Sequence, residues 1–320
     1  DEAVRARAER LLETLSRVPR PVEHAPAKEP SRADRIAMLI GRWTKDEDAE
    51  LDPLGEPYLD ALLALDEGRA EEGAKALELI VKGMEAPRHV MRPLARARRA
   101  VGDMDGAVSA IEAYLTLDAI TSEDILASYA ELASIAAERR DVEGAIAAYE
   151  RCIEALDDDP RPCLLLGQYL RLEGRPAEAV EVLEIATSMM TERDFQVVLE
   201  LALCRHALGE DDHAVALFEE VLAHFRTRGR LEIPEDAAIP LAMIYEKRER
   251  IDRAADLMRV LAEHGPHIRR AIYGLEAARL VTALGLSDEA RRLLRRARAA
   301  TEDEALRTRA DEALRALEST

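Results

Sequence analysis

The chain has 320 residues, and 64 acidic against 45 basic residues give it a formal net charge of −19. Nucleic-acid binding depends on cationic side chains that neutralise phosphates, so this balance argues against a nucleic-acid-binding protein. No stretch approaches the about 20 apolar residues that a membrane-spanning helix needs. We expect a cytoplasmic location, or a periplasmic one if an upstream signal was removed. The preference for arginine over lysine suggests a bacterial source.

The first part of the chain precedes any regular pattern. Residues 1–18 are predicted to form a charged amphipathic helix, and residues 19–32 contain four prolines and are predicted to form a linker. Residues 33–53 are interpreted as an entry helix or a divergent repeat. Ser31 and Asp34 have the spacing of residues that cap the start of a helix.

From residue 54 to residue 300, one helical pattern recurs seven times. Each copy has a small residue at the same place, and these residues recur at intervals of about 34 to 40 positions: Gly73, Ala107, Ala145, Ala179, Ala214, Ala254 and Ala290. A repeat of this length with helical periodicity is typical of a solenoid of helix-turn-helix units. Longer intervals predict an insertion at 117–124 and a projecting loop at 224–234. Residues 301–320 are predicted to form a capping helix.

The fourth copy carries the clearest motifs, one on each helix: Cys163-x2-Leu166-Gly167-x2-Leu170 and Ala179-x3-Leu183-x2-Ala186. They resemble the tetratricopeptide repeat (TPR), which has an aromatic residue, Leu-Gly and Tyr on its first helix and Ala-x3-Phe on its second. Gly174 would end the first helix in the left-handed region. The resemblance implies an all-α fold, a right-handed superhelical α-solenoid of TPR-like repeats.

The other copies depart from the family pattern at two positions. The aromatic position is filled by Tyr58, Met91, Tyr129, Cys163, Val198, Ala238 and Gly274. Alanine replaces the glycine in four copies, at Ala95, Ala133, Ala202 and Ala242. Seven weak copies in phase still favour TPR-like repeats over Sel1-type or other helix-pair repeats.

Motifs that carry chemistry are missing from the sequence. It has no P-loop, dinucleotide-binding, nucleophile-elbow or zinc-protease motif. His206, His213, His264 and His267 lie at or beside turns, without converging ligands. Cys152, Cys163 and Cys204 lack the paired spacing of a zinc site, so we expect buried thiols, with a Cys152–Cys163 disulfide as the alternative. We predict a protein without enzymatic activity, cofactor or metal.

The resemblance implies a concave groove lined by the first helix of each unit, which in the family commonly holds a partner segment. The family's groove positions in the second and fourth copies select mostly cationic residues: His89, Arg92, Arg96, Arg99, Arg161, Gln168 and Arg171. Arginine pairs bidentately with carboxylates, so these residues predict an acidic partner segment.

Two alternatives to this binding patch stay open. In one, the arginines are solvated, or they pair with Glu131 and Glu138, which occupy groove positions in the third copy. In the other, Pro93 delays the start of its helix and leaves Arg92 outside it.

The leading hypothesis is a non-catalytic scaffold or adaptor subunit of a bacterial multiprotein assembly, which binds a protein partner in the groove. One alternative is a self-assembling structural component, in which residues 1–18 mediate homo-oligomerisation. The other is the regulatory part of a larger enzyme or sensor.

Overall fold

The computed structural model describes residues 30–41, 43, 45–83, 88–117, 120–190, 194–227 and 233–318. The regular secondary structure of these ranges is helical throughout. Each of these helices is too short or too polar to cross a membrane. The predicted helix 1–18 and nearly all of the linker 19–32 lie outside the described residues. The chain divides into two compact units, unit 1 (residues 1–110) and unit 2 (residues 111–320).

Unit 1 starts with a well-capped helix. The Ser31 hydroxyl accepts a hydrogen bond from the Asp34 N–H, and the Asp34 carboxylate accepts one from the Ser31 N–H, as predicted. The helices that follow this start are α1 (Arg32–Ile40), α2 (Lys45–Leu51), α3 (Gly55–Asp66), α4 (Ala70–Lys82), α5 (Arg88–Ala100) and the first part of α6 (Met104–Leu115). A 3₁₀ turn, Asp52–Leu54, connects α2 to α3.

Unit 2 contains the remaining helices. They are α7 (Ser122–Glu138), α8 (Val142–Ala155), α9 (Arg161–Leu172), α10 (Pro176–Met189), α11 (Phe195–Ala207), α12 (Asp211–Thr227), α13 (Glu235–Lys247), α14 (Ile251–His264), α15 (Arg270–Ala283), α16 (Ser287–Ala299) and α17 (Glu304–Glu318). A 3₁₀ turn, His267–Arg269, precedes α15.

The helices of unit 2 pack in consecutive pairs, from α7 with α8 to α15 with α16. The first helices of successive pairs also touch: α7 contacts α9, α9 contacts α11, and α11 contacts α13. They therefore form an inner layer, with the second helices packed against it. The helix α17 packs against both α15 and α16. The all-α repeat of helix pairs predicted from the sequence is confirmed.

The small residues that revealed the repeat lie where the two helices of a pair meet. The six alanines, from Ala107 to Ala290, are completely buried. A Cβ added to Gly73 would lie 2.6 Å from Cδ2 of Leu65 on α3, and one added to Gly167 would lie 2.6 Å from Cγ of Leu183 on α10. A larger side chain at these places would push the paired helices apart.

All seven pairs turn with the same backbone geometry. One residue in each turn has a positive φ, between 59° and 83°: Gly68, Gly102, Arg140, Gly174, Gly209, Glu249 and Gly285. The N–H of the next residue donates to the carbonyl five residues earlier, as from Arg175 to Leu170 at 2.8 Å. This is the Schellman ending, which favours glycine. Arg140 and Glu249 adopt it although a side chain makes the left-handed region unfavourable.

Two predictions about helix ends were wrong. The helix α5 starts at Arg88 and includes Arg92, because Pro93 deprives only the His89 carbonyl, near the helix start, of its partner. The predicted loop 224–234 begins later than expected. Its first four residues belong to α12, whose last turn is held by Phe225 packed edge-on against Phe195, with ring centroids 5.3 Å apart. Residues 228–232 lie outside the described residues.

Candidate functional site

The cationic residues predicted on α5 have different environments. His89 lies against α2, where its backbone N–H donates to Glu50 at 2.9 Å and its ring Nε2 is 3.6 Å from the same carboxylate. Arg96 is exposed, whereas Arg92 and Arg99 are partly buried. The whole of α5 carries no acidic residue. The helix is therefore basic, but His89 already contacts Glu50 within unit 1.

The cationic residues predicted on α9 are bound to carboxylates within unit 2. Arg161 pairs with Asp159 at 2.7 Å and with Glu123 at 2.6 Å, and its hydrogen bond lowers the pKa of Asp159. Arg171 Nε donates to Glu200 at 2.7 Å. Gln168 Nε2 donates to the same carboxylate at 3.4 Å.

Glu200 lies on α11, and only 8% of the residue is exposed. A buried carboxylate requires partners, and Arg171 and Gln168 supply them from the neighbouring first helix. The internal pairing considered as an alternative is therefore present on α9. Its partners include Glu123 on α7, Asp159 just before α9, and Glu200 on α11.

A second ion pair joins two further first helices. Arg279 on α15 binds Glu246 on α13 with both Nη atoms, at 2.7 and 2.8 Å, and its Nε donates to Glu276 at 2.8 Å. The hydrogen bond from Arg279 lowers the pKa of Glu246. Together with Arg171–Glu200, this pair shows which side of each first helix faces its neighbour.

One helical turn from these ion-paired residues, the same side becomes apolar. Leu164 precedes Gln168 by one turn, Met243 precedes Glu246, and Leu275 precedes Arg279. With the apolar residues that adjoin them, they form what we call the apolar strip: Leu164, Leu199, Leu203, Ile239, Met243, Ile272 and Leu275. Each is partly or largely exposed, and the exposure reaches 60% for Met243 and 44% for Ile272.

The apolar strip leads into a cavity of about 530 Å³ between α15, α16 and α17, which we call the end cavity. Its apolar lining includes Leu275, Leu294, Ala313 and Leu317, and Leu275 also belongs to the strip. An adjoining groove and cavity with apolar walls are features of a surface that binds another molecule.

The thiols do not form a reactive site. Cys152, Cys163 and Cys204 are free and buried, so the alternative Cys152–Cys163 disulfide is not formed. Burial raises the pKa of Cys152 and of Cys204 to about 11, which keeps both thiols protonated at neutral pH. In the part of the chain that the structure describes, no three metal-binding side chains come together.

Comparisons with known proteins agree with this helix-pair architecture. A family model described as a tetratricopeptide repeat matches residues 126–155, which cover most of α7 and all of α8. No curated protein sequence matches the chain.

Solved structures resemble it in fold. The C-terminal part of a TPR-containing protein from Cytophaga hutchinsonii aligns over 79% of this chain and 98% of its own, at 15% identity and a TM-score of 0.55. PilW, a type IV pilus biogenesis factor, aligns over 70% of this chain and 99% of its own, at 18% identity and a TM-score of 0.48. The family match falls on one helix pair, and the other six repeat its turn. Residues 126–155 therefore match a tetratricopeptide repeat, and the described chain has the fold of a solenoid of TPR-like helix pairs.

Proposed function

We propose that this protein is a non-catalytic scaffold that binds a segment of a partner protein on the apolar strip of unit 2, as an adaptor in a multiprotein assembly. The observation that supports the proposal is the strip itself. Burial of one large aliphatic side chain contributes about 1.5 to 3 kcal/mol. A partner that covers Met243 and Ile272 therefore gains a substantial part of its binding free energy there.

Binding of an acidic partner segment, as predicted from the sequence, is less well supported at α9 than at α5. On α9, an incoming carboxylate would compete with Glu200 for Arg171. On α5, the exposed Arg96 lies on a helix without carboxylates. We retain the acidic segment as a proposal for α5 alone.

The proposed function is tested by capture from a lysate with two variants of equal charge change. Met243→Glu places a carboxylate in the strip, and Leu79→Glu places one on the exposed side of α4, where Leu79 is 71% exposed. We expect the parent and the Leu79→Glu variant to capture the same partner, and Met243→Glu to lose it while retaining its helical circular dichroism. Equal capture by all three proteins would refute binding on the strip.

The same samples test the self-assembling alternative. Light scattering over a range of concentrations would show a mass that rises with concentration if copies of the chain associate. A constant monomer mass together with strip-dependent capture supports the scaffold.

A further inference from the structure

The charges beside the apolar strip are not balanced. Arg279 is shared between Glu246 and Glu276. Arg171 is hydrogen-bonded to the buried Glu200, and Asp236 on α13 also attracts it. Each arginine therefore lies near two carboxylates, and each of these two clusters carries one more negative than positive charge. Arg309 and Glu312, which also line the end cavity, offset each other.

A partner segment that lies along the strip would come close to both clusters. A lysine or arginine on that segment would neutralise the surplus carboxylate, whereas a glutamate or aspartate would be repelled by it. The arginines are already hydrogen-bonded to carboxylates of unit 2, so they offer little to an acidic ligand. The large net negative charge of the chain also favours the approach of a cationic segment.

The end cavity adds an apolar anchor point. Leu294 and Leu317 are buried in its wall, and Ala313 leaves space beside them. A large aliphatic side chain of the partner fits this position, because the cavity continues from the strip through Leu275.

We propose that the partner segment is amphipathic, with leucine-like side chains that cover the strip and enter the end cavity and with lysine or arginine beside them. This inference rests on the proposed scaffold function and names the chemistry of its partner. It is opposite in sign to the acidic segment predicted from the arginines alone.

The test uses two fluorescent synthetic peptides, each about 15 residues long, with the same leucine spacing. One carries lysine at all its polar positions and the other carries glutamate. Binding to the full chain is measured by fluorescence anisotropy at about 0.15 M salt, where long-range attraction between exposed charges is largely screened. The variants are Met243→Glu in the strip and Ile185→Glu on α10, where Ile185 is 49% exposed outside the strip.

The two variants separate docking from general attraction between opposite charges. A merely electrostatic complex with the lysine peptide would be as tight or tighter in both variants, since each adds a negative charge. Docking on the strip predicts about tenfold weaker binding for Met243→Glu and unchanged binding for Ile185→Glu. It also predicts that the glutamate peptide binds the parent at least about tenfold more weakly than the lysine peptide.

Equal affinity of the two peptides, or undiminished binding of the lysine peptide to Met243→Glu, would overturn the inference. So would the absence of peptide binding while capture of the natural partner still depends on Met243, and in that case the scaffold function would stand. If capture of the natural partner does not depend on Met243, the proposed function itself fails.

Discussion

Equivalent faces of the first helices differ sharply between α5 and the helices α11, α13 and α15. The face of α5 carries Arg92, Arg96 and Arg99, whereas the other three carry all of the apolar strip except Leu164. Both regions nevertheless use the same buried alanines and the same turn. The repeat determines how helices pack and leaves the exposed positions of the first helix to carry different binding chemistry.

The largest expected effect on the free energy of unfolding distinguishes the ion-paired Arg171 on α9 from the exposed Arg96 on α5. Glu200→Ala would leave Arg171 partly buried without its carboxylate, and we expect a loss of about 2 to 4 kcal/mol in the free energy of unfolding. Arg96→Ala on α5 removes an exposed charge, and we expect a change within about 0.5 kcal/mol. Urea titrations followed by circular dichroism measure both. Glu154→Ala, at an exposed position of α8, is the matched carboxylate control. Equal effects of Glu200→Ala and Arg96→Ala would contradict the conclusion that Arg171 depends on its ion pair with Glu200 and that Arg96 is an exposed charge.

The next prediction tests whether the end cavity contributes to partner binding. Ala313→Phe would fill the cavity, and we expect about fivefold weaker binding of the natural partner, close to 1 kcal/mol, with little change in stability. Ala305→Phe places the same ring on an exposed part of α17. Isothermal titration calorimetry with the captured partner should show the loss only for Ala313→Phe. A similar loss in both variants would count against the cavity as part of the surface.

The turns should behave alike in both units. Gly102→Ala in unit 1 and Gly174→Ala in unit 2 each place a Cβ in the left-handed region, and we expect a loss of about 1 kcal/mol from each. Arg140→Gly and Glu249→Gly relieve the same strain, and a gain of up to about 1 kcal/mol is expected. Thermal unfolding measures all four variants. Destabilisation by Arg140→Gly would show that its side chain makes a stabilising contact.

The smallest expected effect is on stability at acidic pH. Because Arg279 lowers the pKa of Glu246 in the folded state, the unfolded state binds more protons as the pH falls. The contribution of the pair is present above the unfolded pKa near 4.5 and is lost as the pH falls through the lower folded value. Both side chains are partly exposed, so we expect less than about 1 kcal/mol. Glu246→Gln should reduce the stability difference between neutral pH and acid, whereas Arg96→Gln should leave it unchanged.

Much of the fold could be predicted because packing repeats itself in the sequence. Seven small residues in phase, with glycine in five of the seven turns, identified the helix pairs. Arg140 and Glu249 show the limit of a single-residue signal, since the packing of their helix pairs imposes the left-handed turn without glycine.

The binding surface was harder to predict. The pairs Leu199 with Leu203 and Ile239 with Met243 have the spacing of a buried helical stripe, so periodicity could not show that they are partly exposed. The sequence suggested that Arg171 is available to a ligand in the groove. Its partner, Glu200, lies on the next first helix along the chain, so the residues around Arg171 do not reveal the ion pair. Local sequence patterns do not reveal which carboxylate a neighbouring helix will supply.

The most direct test of the account is methyl nuclear magnetic resonance of protein labelled at methionine and isoleucine, titrated with the lysine peptide. We expect the methyl signals of Met243, Ile239 and Ile272 to shift, and that of Met38, which is exposed on α1, to stay in place. Shifts confined to Met91 on α5 or to Met38, with the three strip residues unchanged, would contradict the claim that the apolar strip is the binding surface.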